Sequence, residues 1–230
     1  MNAGPRILVV AKAPVPGQAK TRLAPAVGAE AAADLAAAAL LDTLDAAIEA
    51  AQRIGREPAV VALTGDLADA ARSREIRAAL RCCRVIGQRG ASFDARLAAA
   101  HVAAAGSDGG PVLQIGMDTP QVDAGLLQRC AAQLSTADAV LGPAEDGGWW
   151  LLAVRRAAMA EALRGVVMSS PRTGALSRSA LQARGCTVIG APRLRDVDTI
   201  ADAQAVAALA PHTRFAAAFA LAQLTAAVAS

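Results

Sequence analysis

Aromatic side chains are nearly missing from this chain. They make up 2% of its 230 residues, too few for the successive stacking platforms on which single-stranded nucleic acid is held. An excess of one charge is missing too: 23 lysines and arginines against 20 aspartates and glutamates leave a net +3. The basic residues are scattered and form no stripe, so nucleic acid is not expected as a partner. No apolar run reaches the roughly 18 residues that a membrane span needs, because Asp, Glu, Arg or Gln interrupts each alanine-rich stretch. No membrane association is expected either. The start, MNAGPRILVV, has one arginine before a short apolar run and no small-residue cleavage site after it. No signal peptide is expected, and the expected location is cytoplasmic. Cys82, Cys83, Cys130 and Cys186 lack CxxC spacing and a His at zinc-finger distance, so reduced structural thiols are expected. His101 and His212 have no Ser, Cys or carboxylate partner at a telling spacing, which leaves a nucleophilic triad or a zinc site without support.

What the chain does have is an apolar majority, 54% of its residues with 19% charged, enough for a substantial core. Short apolar runs alternate with helical patterns. Arg6 to Ala11 (RILVVA) is expected as a first buried strand, followed by the Pro/Gly loop Lys12 to Pro25. A long alanine-rich helix from about Gly28 to Gln52 comes next, with Leu40, Leu44 and Ile48 at helical spacing. Pro58 to Leu63 is expected as a second strand, Asp69 to Leu80 as a charged surface helix, Cys82 to Ile86 as a third strand, and about Ser92 to Ala105 as a helix. Val112 to Ile115 makes a central strand. After a helix carrying Leu126, Leu127 and Leu134 come strands at Ala137 to Leu141 and Trp149 to Val154. The link between those two is too short for a crossover helix, so one antiparallel strand is implied. Helices near Arg156 to Leu163 and Thr173 to Ala183, a last strand Thr187 to Ile189, a helix Ile200 to Leu209 and a final alanine-rich helix complete the order.

The expected fold class is α/β, a three-layer sandwich with a mainly parallel central sheet containing one antiparallel strand. It is expected as a single domain over 1–230 with a C-terminal helical extension at about 211–230. Phe215, Phe219 and Leu224 on that extension suit a sheet edge or a partner's surface, which leaves a homo-oligomer open.

The organising stretch is Pro111 to Pro120, PVLQIGMDTP. Asp118 stands just beyond the strand, where open α/β sheets gather their ligands. Taken alone, an Asp here reads as the cap of a helix starting near Val122. Its company makes it a candidate metal ligand. Directly after the first strand, KAPVPGQAKTRL packs Lys12, Lys20 and Arg22 into a loop in which Gly17 lets the backbone approach a ligand. That is the composition of a phosphate cradle, although it is not a Walker A sequence. Asp146 in EDGGWW and Asp196 with Asp198 in DVDT also follow expected strands, so the fold would bring all these carboxylates to one sheet edge. Two carboxylates there suit a hard divalent ion, Mg2+ or Mn2+, shared with substrate phosphates. Asp118 and Asp198 are the expected metal pair, and at least one of Asp196 and Asp198 is expected to cap the helix at Ile200.

Gly147 and Gly148 fit a tight turn, and Trp149 and Trp150 after them point to opposite faces of a strand. Asp146 is placed to act as a general base toward an acceptor, with Gly147, Gly148 and Trp149 lining the acceptor pocket. Gln88, Arg89 and Arg96 border a loop at the sheet edge and read more simply as solvated surface. Ser169, Ser170, Arg172 and Thr173 form a polar loop that either binds an acceptor anion or caps the helix after it.

KAPVPGQAKTRL, QIGMDTP, GPAEDGGWWLLAV and DVDT, in that order, resemble the bacterial family known as radical-SAM/selenodomain-associated transferase 1. The likeness runs to about Ala208. It implies the GT-A nucleotide-diphospho-sugar transferase fold, a nucleotide over the first loop and a metal held by Asp118. Ala19 to Leu23 (AKTRL) is also similar to the phospholactate guanylyltransferases, which transfer a nucleotidyl group. Those enzymes usually carry Thr-Asn after the DGG turn, where this chain has Trp149 and Trp150. The resemblance therefore implies a metal-dependent glycosyltransferase acting from a nucleotide-sugar donor to a small-molecule acceptor. A nucleotidyltransferase is the alternative, and a non-catalytic nucleotide-binding protein a third reading.

Overall fold

The computed structural model describes residues 4–229. Met1 to Ala3, part of the leader reading, and Ser230, the end of the extension, lie outside the described residues. The chain forms β1 (Arg6–Lys12), α1 (Ala24–Val27), α2 (Ala29–Ile54), β2 (Ala59–Thr64), α3 (Ser73–Leu80), β3 (Cys83–Gly87), α4 (Phe93–Ala105) and β4 (Val112–Ile115). It continues with α5 (Ala124–Ala132), β5 (Ala139–Pro143), β6 (Trp149–Val154), α6 (Thr173–Ala183), β7 (Val188–Gly190), α7 (Ile200–Leu209) and α8 (Arg214–Ala229).

The strands make one seven-stranded sheet in the order β3-β2-β1-β4-β6-β5-β7. β6 runs antiparallel to both neighbours, β4 and β5, and the other pairings are parallel. The short Ala144 to Gly148 turn requires this, since a parallel return needs a crossover of a dozen or more residues. Alternation along the strands feeds two cores. Ile7, Val9, Val61, Leu113 and Ile115 pack beneath Leu40, Leu44, Ile76 and Leu127 on one face. Leu8, Val10, Val60, Val112 and Leu152 pack against Leu97, Ala104, Leu163 and Leu181 on the other. From β1 the chain winds outward to β2 and β3, and it enters the other half at β4, so the carboxyl ends of β1 and β4 flank a topological switch point. Among the described residues, no helix is long and apolar enough to cross a membrane.

Three expectations change. The surface helix expected over Asp69 to Leu80 is confined to Ser73–Leu80. Asp66 takes the Ala68 N–H in a local turn, and Arg72 adopts a left-handed backbone (φ 50°), so helical geometry begins only after it. The segment Ala157–Leu163 is a 3-10 helix. The phenylalanines of the C-terminal helix turn inward: Phe215 and Phe219 are buried against Leu35 of α2 and Val206 of α7, whereas Leu224 is exposed. Asp42 of α2 fixes the start of α8 by accepting the Arg214 and Phe215 N–H groups at 3.1 and 2.9 Å. Among the described residues the four cysteines are free thiols, and Cys82 is exposed.

Candidate active site

The loop after β1 brings its cations to the switch point. Lys20 has a left-handed backbone (φ 48°), a conformation that costs an L residue of order 1 kcal/mol and is concentrated at functional sites. Its side chain is only 8% exposed and forms ion pairs with Asp118 Oδ1 at 2.8 Å and Asp198 Oδ1 at 3.2 Å. Burial alone would push the Lys20 ammonium toward its neutral form. The two carboxylates outweigh burial and raise its pKa above the ordinary value. Arg22 reaches Asp198 Oδ2 at 3.3 Å while remaining 74% exposed. Lys12 donates from Nζ to the Gln18 carbonyl, which closes the loop over Gly17 (φ 73°).

The carboxylates come from three connections. Asp118 follows β4, and its carbonyl accepts the Val197 N–H at 3.0 Å, which holds the 196–198 segment beside it. In DVDT burial alternates, with Val197 buried against Leu23 and Leu35 between the half-buried Asp196 and Asp198. Asp196 and Asp198 are thereby turned to the site. Carboxylate oxygens of Asp146, Asp196 and Asp198 lie within 4.8 Å of one another. Desolvation, then the neighbouring charges of Asp146, Asp198 and Asp118, push the Asp196 carboxyl up to about 6. Neither Asp196 nor Asp198 caps α7, contrary to expectation. Thr199 does so, in a capping box closed by Asp202. Nor is Asp118 the cap of α5: Asp123 accepts the Leu126 N–H there. The aspartates of the mouth are therefore free of helix-capping duty. An oxygen-rich donor set of this kind, partly buried and mutually repelling, fits a hard divalent cation.

Asp146 sits in the turn between β5 and β6, where its Oδ1 accepts the Gly148 N–H at 2.7 Å. Gly147 has φ 89°, and a Cβ there would collide with the Pro171 carbonyl oxygen. Gly174, whose N–H donates to the Gly147 carbonyl at 2.8 Å, would place a Cβ 2.6 Å from the Gly148 carbonyl oxygen. The two glycines lock the aspartate turn to the segment entering α6. Beyond it the tryptophans diverge as the strand period requires. Trp150 is buried on the α2 side with its Nε1 donating to the Pro192 carbonyl, and Trp149 packs on the α6 side with Nε1 donating to Ser177.

These parts line a cavity of about 600 Å³ bordered by Lys12, Arg22, Asp118, Asp146, Gly148, Trp149, Asp196 and Asp198. A smaller recess of about 260 Å³ adjoins it, lined by Gln18, Lys20 and Arg22. Gly17 and Gly147 do not line the main cavity but shape the two turns that do. Gln88 and Arg96, read from the sequence as solvated surface, line the main cavity, whereas Arg89 lines a separate recess. Of the polar loop left open between anion binding and capping, Ser169, Ser170 and Thr173 line the cavity and Arg172 does not, and Met168 joins them there. The buried Gln114 and Thr119 complete the wall, and only their polarity within apolar or loop segments hinted at it in the sequence.

A seven-stranded mostly parallel sheet with this one reversed strand, and a ligand-sized cavity over its switch point, is the nucleotide-diphospho-sugar transferase and cytidylyltransferase-like fold. The chain belongs to the DUF2064 family, described as uncharacterized protein conserved in bacteria, whose model matches residues 43–170. Among solved structures it is similar to a protein from Desulfovibrio desulfuricans G20, provisionally described as a nucleotide-diphospho-sugar transferase. That match has 26% identity and a TM-score of 0.79, over 99% of this chain and 96% of the other. CMP:2-keto-3-deoxy-manno-octonic acid synthetase complexed with CTP is similar in fold at 13% identity and TM-score 0.57, over 90% of this chain and 98% of the other. So is a cytidylyltransferase from Leptospira borgpetersenii serovar Hardjo-bovis, at 12% identity and TM-score 0.57, over 99% and 97%. No curated protein matches the sequence.

Proposed function

We propose that this protein is a transferase that uses a nucleotide-activated donor, a nucleotide-diphospho-sugar, and passes its glycosyl group to a small hydroxyl-bearing acceptor. The observation that carries this reading is the buried Lys20 ammonium at 2.8 Å from Asp118 and 3.2 Å from Asp198, residues that the chain brings together from three separate connections. Lys12, Lys20 and Arg22 bind the diphosphate, with the backbone around Gly17 able to approach it. Asp118 and Asp198, the expected pair, are the residues that would hold a divalent cation, with Asp146 and Asp196 clustered beside Asp198. A bound Mg2+ or Mn2+ supplies neutralisation of phosphate charge.

Asp146 takes the proton of the acceptor hydroxyl. The Gly148 N–H donated to its Oδ1 orients the carboxylate for this task. Gly147 and Gly148 fix that turn, and Trp149 forms the apolar side of the acceptor pocket. Rate enhancement comes from holding donor and acceptor in line and from cations placed where the leaving diphosphate gains charge. The radical-SAM/selenodomain-associated transferase 1 likeness supports the same reading, and the proposed setting is the cytoplasm.

A nucleotidyltransferase is the second reading, favoured by the cytidylyltransferases among the fold relatives. The two differ in product. A glycosyl transfer releases nucleoside diphosphate from a nucleotide sugar, and a nucleotidyl transfer releases pyrophosphate from a triphosphate. Incubating the protein with panels of both donors, small acceptors and Mg2+ decides between them. Under the first reading Asp146→Asn lowers turnover by about 100-fold or more while donor binding persists. Release of neither product with any acceptor, or full activity in Asp146→Asn, overturns the assignment.

A further inference from the structure

The two aspartates that would hold a divalent cation already face a cation of the chain itself. Lys20 Nζ stands 2.8 Å from Asp118 Oδ1 and 3.2 Å from Asp198 Oδ1. Arg22 Nη1 lies 3.3 Å from the other Asp198 oxygen, Oδ2. The loop after β1 therefore brings positive charge to both oxygens of Asp198 and to one of Asp118. The two basic side chains are held unequally, Lys20 at 8% exposure and Arg22 at 74%. Water screens the exposed guanidinium and leaves its pair weak, so the buried ammonium is the cation that governs these carboxylates.

Ammonium and metal ion cannot share that position. Mg2+ takes oxygen ligands at about 2.0–2.1 Å, closer than Lys20 Nζ sits to either carboxylate. An ion held by the same two oxygens would press a double positive charge against the ammonium, and the repulsion would be steep at such range. Lys20 has another place to go. Its backbone is fixed, since its carbonyl accepts the Leu23 and Ala24 N–H groups at 2.8 and 3.2 Å. The four-carbon stem beyond it is flexible. Beside the aspartates opens the recess of about 260 Å³ that Lys20 lines with Gln18, Thr21 and Arg22. A diphosphate there would offer the ammonium oxygens as good as those it leaves.

We propose that Lys20 is a resident cation: in the ligand-free protein it holds Asp118 and Asp198 together in place of a divalent ion, and it yields them when a diphosphate draws its ammonium away. The aspartate pair is neutralised in both states, so the mouth stays assembled before any ligand arrives. Free divalent ion is disfavoured, and the protein accepts the ion together with the diphosphate as one complex. The inference rests on the cation-binding part of the reading above and adds how that site is regulated.

Mn2+ titrated into the full chain without nucleotide, with the free ion counted by electron paramagnetic resonance, tests it. Lys20→Met keeps an unbranched stem and removes the charge, and it should bind Mn2+ about tenfold or more tightly than wild type. Arg22→Gln removes a charge of the same sign from the exposed partner and should change Mn2+ affinity by less than about threefold. Were Lys20 only a strut for the two aspartates, its loss would let them spread and weaken Mn2+ binding, a shift of the opposite sign. The wild type answers independently if Lys20→Met folds poorly. In 15N NMR the Lys20 ammonium signal should move when Mg2+ and a nucleoside diphosphate are added together and stay in place with Mg2+ alone. Equal or weaker Mn2+ binding by Lys20→Met, an equal gain in Arg22→Gln, a Lys20 signal that moves with Mg2+ alone, or one unmoved by the bound complex overturns this inference and leaves the transferase reading standing. Failure of wild type and variants to bind Mn2+ at millimolar concentration, even with nucleoside diphosphate present, overturns the cation part of that reading and takes this inference with it.

Discussion

Lys20 holds a buried charge on a strained backbone, and His101 and Asp196 pay for their positions in proton affinity. The pH consequences can be separated by sign. Unfolded, His101 takes up a proton below about 6.5, whereas in the folded protein it resists until about 3. Its contribution to stability is therefore complete above pH 6.5 and is lost as pH falls through that window. Denaturant titrations from pH 7 to pH 4 should show an acid-side slope of up to about 1.4 kcal/mol per pH unit from this group. His101→Phe should flatten that slope. Asp196 acts the other way, because its folded pKa of about 6 lies above the ordinary 3.8. Its folded form keeps a proton that the unfolded chain has released, so its contribution declines as pH rises from about 4 to 6. Asp196→Asn should stabilise the metal-free protein at pH 7 by about 1 kcal/mol, a value already discounted for solvent screening of a part-exposed group. No gain in a pH 7 melt would contradict this. At this scale the sequence disclosed the mouth residues by type and by their place after strands. The raised proton affinity of Asp196 and the place of Gln114 and Arg96 in the cavity wall were hidden, since burial is a tertiary fact.

Among the elements, the turn between β5 and β6 and the segment entering α6 behave as one unit. Gly147 and Gly174 let two backbones meet where a Cβ would strike a carbonyl oxygen. Gly174→Ala should cost about 1–3 kcal/mol in thermal or denaturant unfolding. It should also displace Asp146, with a larger loss in turnover than in donor affinity. A fully active, fully stable variant would show that the lock is dispensable. Periodicity made the strands and long helices legible, including β6, whose reversal followed from a five-residue link (144–148) too short to cross over. Local side-chain competition was not legible. Asp66 and Arg72 shorten α3, and the Thr199 and Asp202 capping box relieves the neighbouring aspartates of that duty.

For the molecule as a whole, the sheet order decides where chemistry can occur. β1 and β4 are neighbours, and their chains leave in opposite directions, so the loops carrying Lys20 and Asp118 must flank one crevice. β5 and the DVDT segment deliver Asp146, Asp196 and Asp198 to the same edge. That α/β alternation could be read from apolar runs. The packing of α8 onto α2 could not, because a uniformly apolar, alanine-rich helix does not name the surface it covers. Isothermal titration of a nucleoside diphosphate, with Mg2+ or with a chelator, into wild type, Lys20→Ala and Asp198→Asn tests the convergence most directly. Tight binding by wild type only with Mg2+, weakened by about tenfold or more in both variants, is the expected result. Binding that ignores the chelator and survives both substitutions would contradict the claim that these loops form one diphosphate-gripping mouth.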